Sequence, residues 1–398
     1  MANAPRDAWI TGIGIVSCLG EGPQVHWQRL NEAPPRSDME TWAPYVLHPM
    51  VALDLDKQIP KKGDQRQMEP WQRIGTYAAG LALENAGVKG NADLLAHMDM
   101  IVAAGGGERD EAVDVAILSG LRKSEKPASY LNERLMNDLR PTLFLAQLSN
   151  LLAGNISIVH GVTGSSRTFM GEEAAGVDAV RIALSRIAAG QSQIALVGGA
   201  YNAETMAVVM HYVMGDCLWK GEPKPVWERA GASGGMALAS LGAFLVIEEK
   251  HHAMARGAKP LARISAVLSD RAKRKPGAIA ATLERLWTTI APRLEPGGTA
   301  VISGASGLEP ATGEERAFLA AHPNVAVRAT GTYLGHGMEP QFVMNIAIAA
   351  MAVSRGILFP PSDGSGLERV MEGPLARAVV TGVGHWRGEG LALVEAAG

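Results

Sequence analysis

Cysteine is scarce in this chain: Cys18 and Cys217 are the only two in 398 residues. Two thiols cannot build the disulfide framework of small extracellular domains, and their scarcity suits a reducing compartment. Long apolar runs are missing too. No window of about 18 uninterrupted apolar residues occurs, so no membrane-crossing helix is expected. Charge of one sign is not in excess: Lys and Arg total 37 against 40 Asp and Glu, a formal net charge of −3. With no basic cluster, that balance leaves no electrostatic footprint for nucleic acid. The opening MANAPRDAWITG holds neither a basic segment nor an apolar core of the secretory kind. The expectation is a cytoplasmic protein with no nucleic-acid and no membrane partner.

What is present is an ordinary globular composition, 47% hydrophobic and 19% charged, with enough length for one large or two medium domains. One stretch organises the rest: GVTGSSRTFMGEEAAGVDAVRIALSRIAAGQSQIALVGGAYN, from Gly161 to Asn202. It reads as a glycine-rich approach loop, a tight turn at Gly171-Glu172-Glu173, an amphipathic helix and a buried strand. Ala174, Val177, Val180, Ala183 and Ile187 recur at helical spacing, and Ile194-Ala195-Leu196-Val197 is the continuous apolar run of a strand covered on both faces. A turn that delivers one residue to the start of a buried helix suits a nucleophile, because backbone N–H groups and the helix dipole there stabilise negative charge. This turn carries two glutamates and neither cysteine nor serine.

Strands are expected over Trp9–Gly20, from Asp99 into the loop at Gly107, over Gly242–Glu248, Leu261–Val267, Thr299–Ser303, Ala378–Gly382 and Leu391–Glu395. Helices are expected over Ile74–Gly87, Ala278–Ile290, Glu314–Ala321 and Phe342–Arg355, with an irregular Pro- and Trp-rich excursion over 21–66. Alternating strands and helices, given twice, predict two similar α/β halves in one unit, 1–250 and 251–398. Met206, Met210 and Met214 recur every four residues and so share one helical face, of the kind that serves a core, an interface or an acyl tunnel. The run Ile194 to Val197, the helix before it and this methionine segment are expected to form an apolar surface closed by a twofold partner.

TGIGIVSCLG (11–20), GVDAVRIALSRIAAGQSQIALVGGA (176–200), GMALASLGAFLVIEEKHHAMARGAKPLARI (235–264), GTYLGHGMEPQF (331–342) and VVTGVGHWRGEGLALVE (379–395) together resemble the β-ketoacyl-acyl-carrier-protein synthases, in the family's order and over nearly the whole chain. The resemblance implies an α/β thiolase-like fold: two pseudo-symmetric halves in a five-layered αβαβα sandwich, working as a dimer. It implies no cofactor and no metal. It also implies a site of one cysteine, two histidines and a lysine. Counted from Gly176, the cysteine position is held by Glu173; the first histidine position by Gly304; the lysine position by Gly331. The second histidine is retained as His336. The G-F-G-G loop reads Gly382-Val383-Gly384-His385, with Val383 in place of its gating phenylalanine.

A carboxylate cannot replace the thiolate in acyl transfer, since the product would be a mixed anhydride. Glu173 then has two readings, an acid or anion mimic in a decarboxylating or chain-length-determining subunit, or a relic pocket filled by an ion pair. His336 is a surviving catalytic group or a structural one, and His385 beside Trp386 could extend the site. The resemblance points to a chain-length-factor-like subunit of fatty acid or polyketide biosynthesis. It would pair with an active ketosynthase, or with itself, and meet acyl carrier protein, with Val383, Gly384, Met206 and Met210 against the acyl chain. Two alternatives stay open: an atypical acyltransferase without the cysteine, and a structural homodimer that binds acyl carrier protein. Buried at the turn, Glu173 is expected to be held by backbone N–H groups and by a cation, His336 first and Arg167 second.

Overall fold

The structure is a computed structural model that describes residues 5–32, 37–139, 145–229, 234–294 and 297–397. Ten strands carry it. The first five are β1 (Ala8–Ser17), β2 (Asp99–Ala103), β3 (Ser166–Phe169), β4 (Ile194–Tyr201) and β5 (Leu241–Glu249). The second five are β6 (Ala262–Asp270), β7 (Thr299–Ser303), β8 (Ala326–Ala329), β9 (Arg377–Val383) and β10 (Glu389–Glu395). The first set is ordered β3-β2-β4-β5-β1 and the second β8-β7-β9-β10-β6, the same order in both. β1 and β6 join them through a short antiparallel pairing of Ala8–Ile10 with Ala262–Ile264.

Helices fill three of the five layers. Helix α1 (Gly22–Glu32) opens the series; α2 (Pro70–Asn85) and α3 (Leu151–His160) cover the outer face of the first sheet. Helix α4 (Glu173–Ala188), followed in sequence by α5 (Met206–Met214), touches strands of both sheets. Helices α6 (Ala278–Ile290) and α7 (Ala311–Ala320) cover the outer face of the second sheet, and α8 (Gln341–Arg355) lies beside α4 between the sheets. All residues of α8 from Gln341 to Val353 are buried. A helix apolar around its whole circumference has this central placement as its stable solution. The αβαβα sandwich expected from the resemblance is thus present. On the outside of the first sheet, Gly12 and Gly14 of β1 let α2 approach closely: a Cβ on either would meet the Ala82 or Ala78 carbonyl oxygen at 2.4 or 2.1 Å.

Three expectations are corrected. The stretch 21–66 contains α1, because the Gly22-Pro23 pair that reads as irregular also fits a helix's first turn, where proline loses no hydrogen bond. The edge strands β3 and β8 lie outside the predicted set. SRTF and AVRA lack the continuous apolar run of a covered strand, since an edge is only partly enclosed. Finally, β4 lies between β2 and β5 and so presents no sheet edge, while α4 keeps a half-exposed side at Asp178, Arg181 and Ile182 and the methionine segment is the more exposed. Met206, Met210 and Met214 are all exposed.

Candidate functional site

The turn between β3 and α4 is sharp. Gly171 has φ +133° and Glu172 φ +56°, a left-handed conformation rare for a residue with a side chain. Met338, on the loop after His336, is another such residue, at φ +48°. Backbone strain of this kind costs on the order of 1–3 kcal/mol per residue and persists where the surroundings over-determine it, commonly around sites.

The turn places Glu173, 4% exposed, at the first position of α4. Its Oε1 accepts from His336 Nε2 at 2.8 Å and from His385 Nδ1 at 3.1 Å. Burial alone would raise the Glu173 pKa; the two imidazoles outweigh that and hold it well below the usual carboxylate range. His385 is shifted the other way. Burial lowers its pKa, but the hydrogen bond to Glu173 and the charges of Glu173 and Glu172 win, and the net direction is up. The pair is therefore a buried carboxylate–imidazolium contact. His336 is the partner expected first for Glu173. Arg167 is not a partner: it lies on β3 and donates to Ser165 Oγ at 2.9 Å. Backbone N–H groups do not hold the carboxylate either, since Oε2 has no hydrogen-bond partner and both bonds to Oε1 come from imidazoles. His385, placed in sequence only as a loop histidine that could extend the site, is the second of them.

The loop that carries His385 is clamped from behind. Arg274 donates to the His385 carbonyl at 3.4 Å, to the Gly384 carbonyl, and to Glu389 Oε1 at 2.5 Å. Gly384 is required by close approach, because a Cβ there would meet the Arg387 carbonyl at 2.1 Å and Glu173 Oε2 at 3.3 Å. Val383 packs instead in the apolar cluster that includes Ala305, Val379 and Leu391.

The remaining catalytic positions are closed. A Cβ on Gly304 would lie 2.7 Å from the Thr381 carbonyl oxygen, and one on Gly331 would lie 2.9 Å from that of Ala305. Neither a histidine nor a lysine enters without moving backbone. Around Gly304 the space is taken by a polar network: Ser303 Oγ and Thr381 Oγ1 donate to Glu315 Oε1 at 2.7 and 2.5 Å, and Thr381 Oγ1 accepts from Gly304 N–H at 3.1 Å. Burial raises the Glu315 pKa.

Beside the turn is a cavity of about 400 Å3, lined among others by Glu108, Glu172, Tyr201, His211, Tyr212 and Glu339. Burial, reinforced by the charges of Glu173 and Glu172, lifts Glu339 to about 7; burial lifts Glu108 to about 7 as well. Neither carboxyl was singled out in sequence, because nothing in its neighbours marks an isolated glutamate as buried. Ala207 and Val208 of α5 also line the cavity, while Met206 and Met210 point to the outer surface. Glu172, Glu173 and His385 bring ligand atoms within 4.8 Å of one another and so form the group, among the described residues, able to hold a metal ion. Glu173 Oε1 is already engaged by both imidazoles.

The geometry can hold negative charge at the head of α4, but it offers no thiolate or alkoxide there and no histidine–lysine pair beside it. Both cysteines are buried and elsewhere: Cys18 Sγ lies 3.4 Å from the Tyr333 carbonyl, and Cys217 Sγ 3.3 Å from that of Gly215.

Comparison with known proteins places this geometry. The 3-oxoacyl-[acyl-carrier-protein] synthase 2 of Vibrio cholerae is 24% identical over 270 residues, 65% of this chain and 62% of that protein. The match thus spans less than two thirds of that relative. Among solved structures, the ishigamide ketosynthase/chain length factor superposes with a TM-score of 0.81 at 18% identity, over 99% of this chain and all of that one. A type II polyketide synthase acyl-carrier protein in complex with its ketosynthase gives 0.76 at 14% identity, over 99% of this chain and 100% of the matched chain. At such identities these two speak for the fold alone. No described helix is long and apolar enough to cross a membrane. The model of the β-ketoacyl synthase N-terminal domain matches residues 6–253, more than half of the chain, and the protein belongs to the β-ketoacyl synthase family.

Proposed function

We propose that this chain is a non-condensing, chain-length-factor-like subunit that pairs with an active β-ketoacyl synthase and helps enclose the acyl chain delivered by acyl carrier protein. The observation that carries the reading is the state of Glu173. The residue at the nucleophile position is a carboxylate locked between His336 and His385, with the first-histidine and lysine positions sterically closed. A thiolate and a histidine pair act as a unit in this chemistry, and loss of several members leaves little rate to lose further.

Pairing is supported by the surface near the site. β3 pairs only with β2, so one edge of the sheet is open to a further strand. Next to that edge Met170 is exposed, as are Met206, Met210 and Met214 on α5 and Ile158 on α3. Covering exposed large apolar side chains of this kind is what a partner would gain, and an obligate interface commonly buries more than about 2,000 Å2 in total. A partner seated there would cover α5, against whose inner side the cavity lies, and the cavity would become a chamber shared by two subunits. Met206 and Met210 then contact the partner or the far end of the acyl chain, with Gly384 at its inner end.

The test is reconstitution. The chain is co-expressed with a complete β-ketoacyl synthase, and products are measured with and without Ala207→Trp, which narrows the cavity. A stable complex whose products shorten with Ala207→Trp is expected. Condensation by the isolated chain, or a complex whose product lengths ignore the substitution, refutes the proposal.

A further inference from the structure

A second cavity, of about 310 Å3, lies away from Glu173 and is lined by Val46, Trp219, Lys224, Arg229, Thr332 and Tyr333 among others. Its chemistry is unlike that of the first. Among the described residues no acidic side chain lines it, whereas two cations do. Arg229 is 2% exposed and among the largest fully buried side chains of the molecule. It has no carboxylate partner among the described residues. Its guanidinium makes three long contacts with backbone carbonyls: Nη1 to Gly235 and Ser306 at 3.4 Å, and Nη2 to Gly331 at 3.3 Å. Its Nε–H has no acceptor among the described residues. Lys224, exposed at the rim, holds its ammonium 5.8 Å from the centroid of the Trp219 ring.

An arginine buried without an anion is costly, because the guanidinium stays charged and its desolvation goes uncompensated. Consistently, burial lowers the Arg229 pKa to about 10 with no neighbouring charge acting against it. Other buried arginines in this molecule are more tightly engaged: Arg328, 1% exposed, donates to the Phe359, Val327 and Arg369 carbonyls at 2.6, 2.6 and 2.9 Å. Arg256 meets Glu248 at 2.7 Å and Arg186 meets Asp99 at 2.7 Å. Among the described residues, Arg229 combines full burial, long contacts and an idle donor with a place in a cavity wall.

We infer that this cavity is a binding site for a small organic carboxylate, with Arg229 as its anion anchor and Lys224 as a guard at the rim. A carboxylate fits better than a phosphate. One idle N–H and two weakly engaged amino groups match the two oxygens of a planar anion, while a phosphate dianion needs more donors than the wall offers. The volume is near the lower limit of small-molecule sites, about 300 Å3, and Val46, Trp219, Pro223, Pro225 and Tyr333 make the remaining wall apolar. The ligand is therefore a short aliphatic or aromatic acid with its carboxylate inward. The inference is independent of the pairing proposed above, because none of these residues belongs to the Glu173 cluster or its cavity.

The experiment is calorimetric titration of the full chain with hexanoate, hexanamide and inorganic phosphate at neutral pH. Hexanoate is expected to bind at least about tenfold more tightly than the isosteric amide, the ratio for one charge-assisted interaction, and more tightly than phosphate. Lys224→Gln should weaken hexanoate about threefold without changing the circular dichroism spectrum, and Arg229→Gln should abolish the acid–amide discrimination. Should Arg229→Gln fail to fold, Pro223→Trp, at an exposed position of the rim, serves instead by plugging the mouth and should weaken hexanoate at least about tenfold. Equal affinities for acid and amide overturn the proposal, as does no saturable binding up to roughly 10 mM, binding indifferent to Pro223→Trp, or phosphate binding as tightly as hexanoate.

Discussion

Replacing Glu339 by glutamine tests the electrostatics of the site most directly. Glu339 is 4% exposed, lines the cavity beside Glu172, and has an Oε2 without a partner. Burial first, then the charges of Glu173 and Glu172, lift its pKa from 4.5 to about 7. A carboxyl raised in this way favours the folded state in its protonated form. Its contribution to stability is complete below pH 4.5, declines as pH climbs towards 7, and is flat above. The distance from 4.5 to about 7 corresponds to roughly 3 kcal/mol at about 1.4 kcal/mol per pKa unit. Between pH 5 and pH 8 the wild-type protein should lose roughly 2–3 kcal/mol through this group alone. Glutamine has the same shape, keeps an oxygen for the backbone N–H groups of Glu172 and residue 339 that the carboxylate accepts from, and cannot ionise. Urea unfolding of both proteins at the two pH values isolates the effect, because other groups titrate alike in both. The variant should gain on wild type by roughly 2–3 kcal/mol from pH 5 to pH 8. A difference constant to within about 0.5 kcal/mol would show that Glu339 is solvated or paired, and the reasoning would fail.

Glu173→Gln should shift the titration of His385. In wild type the raised imidazole pKa stabilises the fold below pH 6.5 and the benefit is lost as pH rises through the folded value; with glutamine the Glu173 charge is gone, burial is opposed only by Glu172, and the pKa should fall relative to wild type, which NMR of the ring resonances reads. Glu173→Ala, which strands two buried imidazoles, should cost about 3–5 kcal/mol in the same unfolding assay; a loss below about 1 kcal/mol would mean the cluster behaves like a surface pair. Glu173→Cys should not restore condensation of acyl and malonyl groups on acyl carrier protein, since Gly304 and Gly331 leave no room for the missing histidine and lysine; measurable turnover by that single variant would refute the steric argument. Cys18 and Cys217 are both buried, and burial raises the Cys217 pKa, so iodoacetamide should label the native protein slowly and the urea-unfolded protein fully, as mass spectrometry can count.

The chain's local chemistry determined more than its fold class. The apolar runs at Ile194, Thr299 and Leu391 and the helical spacing after Glu173 placed the covered strands and the central helix, because elements buried on both faces must be apolar throughout. The glutamate at the head of α4 and the retained His336 were equally legible, being fixed by spacing from Gly176 and Gly335 within continuous segments. Edge strands such as Ser166–Phe169 were not, since half-exposed residues carry no distinctive period. What only the tertiary structure decided is which distant groups meet. His385 reaches Glu173 across 212 positions of sequence because Arg274, just past β6, clamps the β9–β10 turn that carries it. Glu339 is lifted to about 7 because burial, reinforced by the charges of Glu173 and Glu172, disfavours its carboxylate, and Arg229 stands without an anion because the described strands and loops around it present only carbonyls. Burial and the sign of neighbouring charge set the chemistry of each of these side chains, and both are properties of the assembled layers rather than of any one segment.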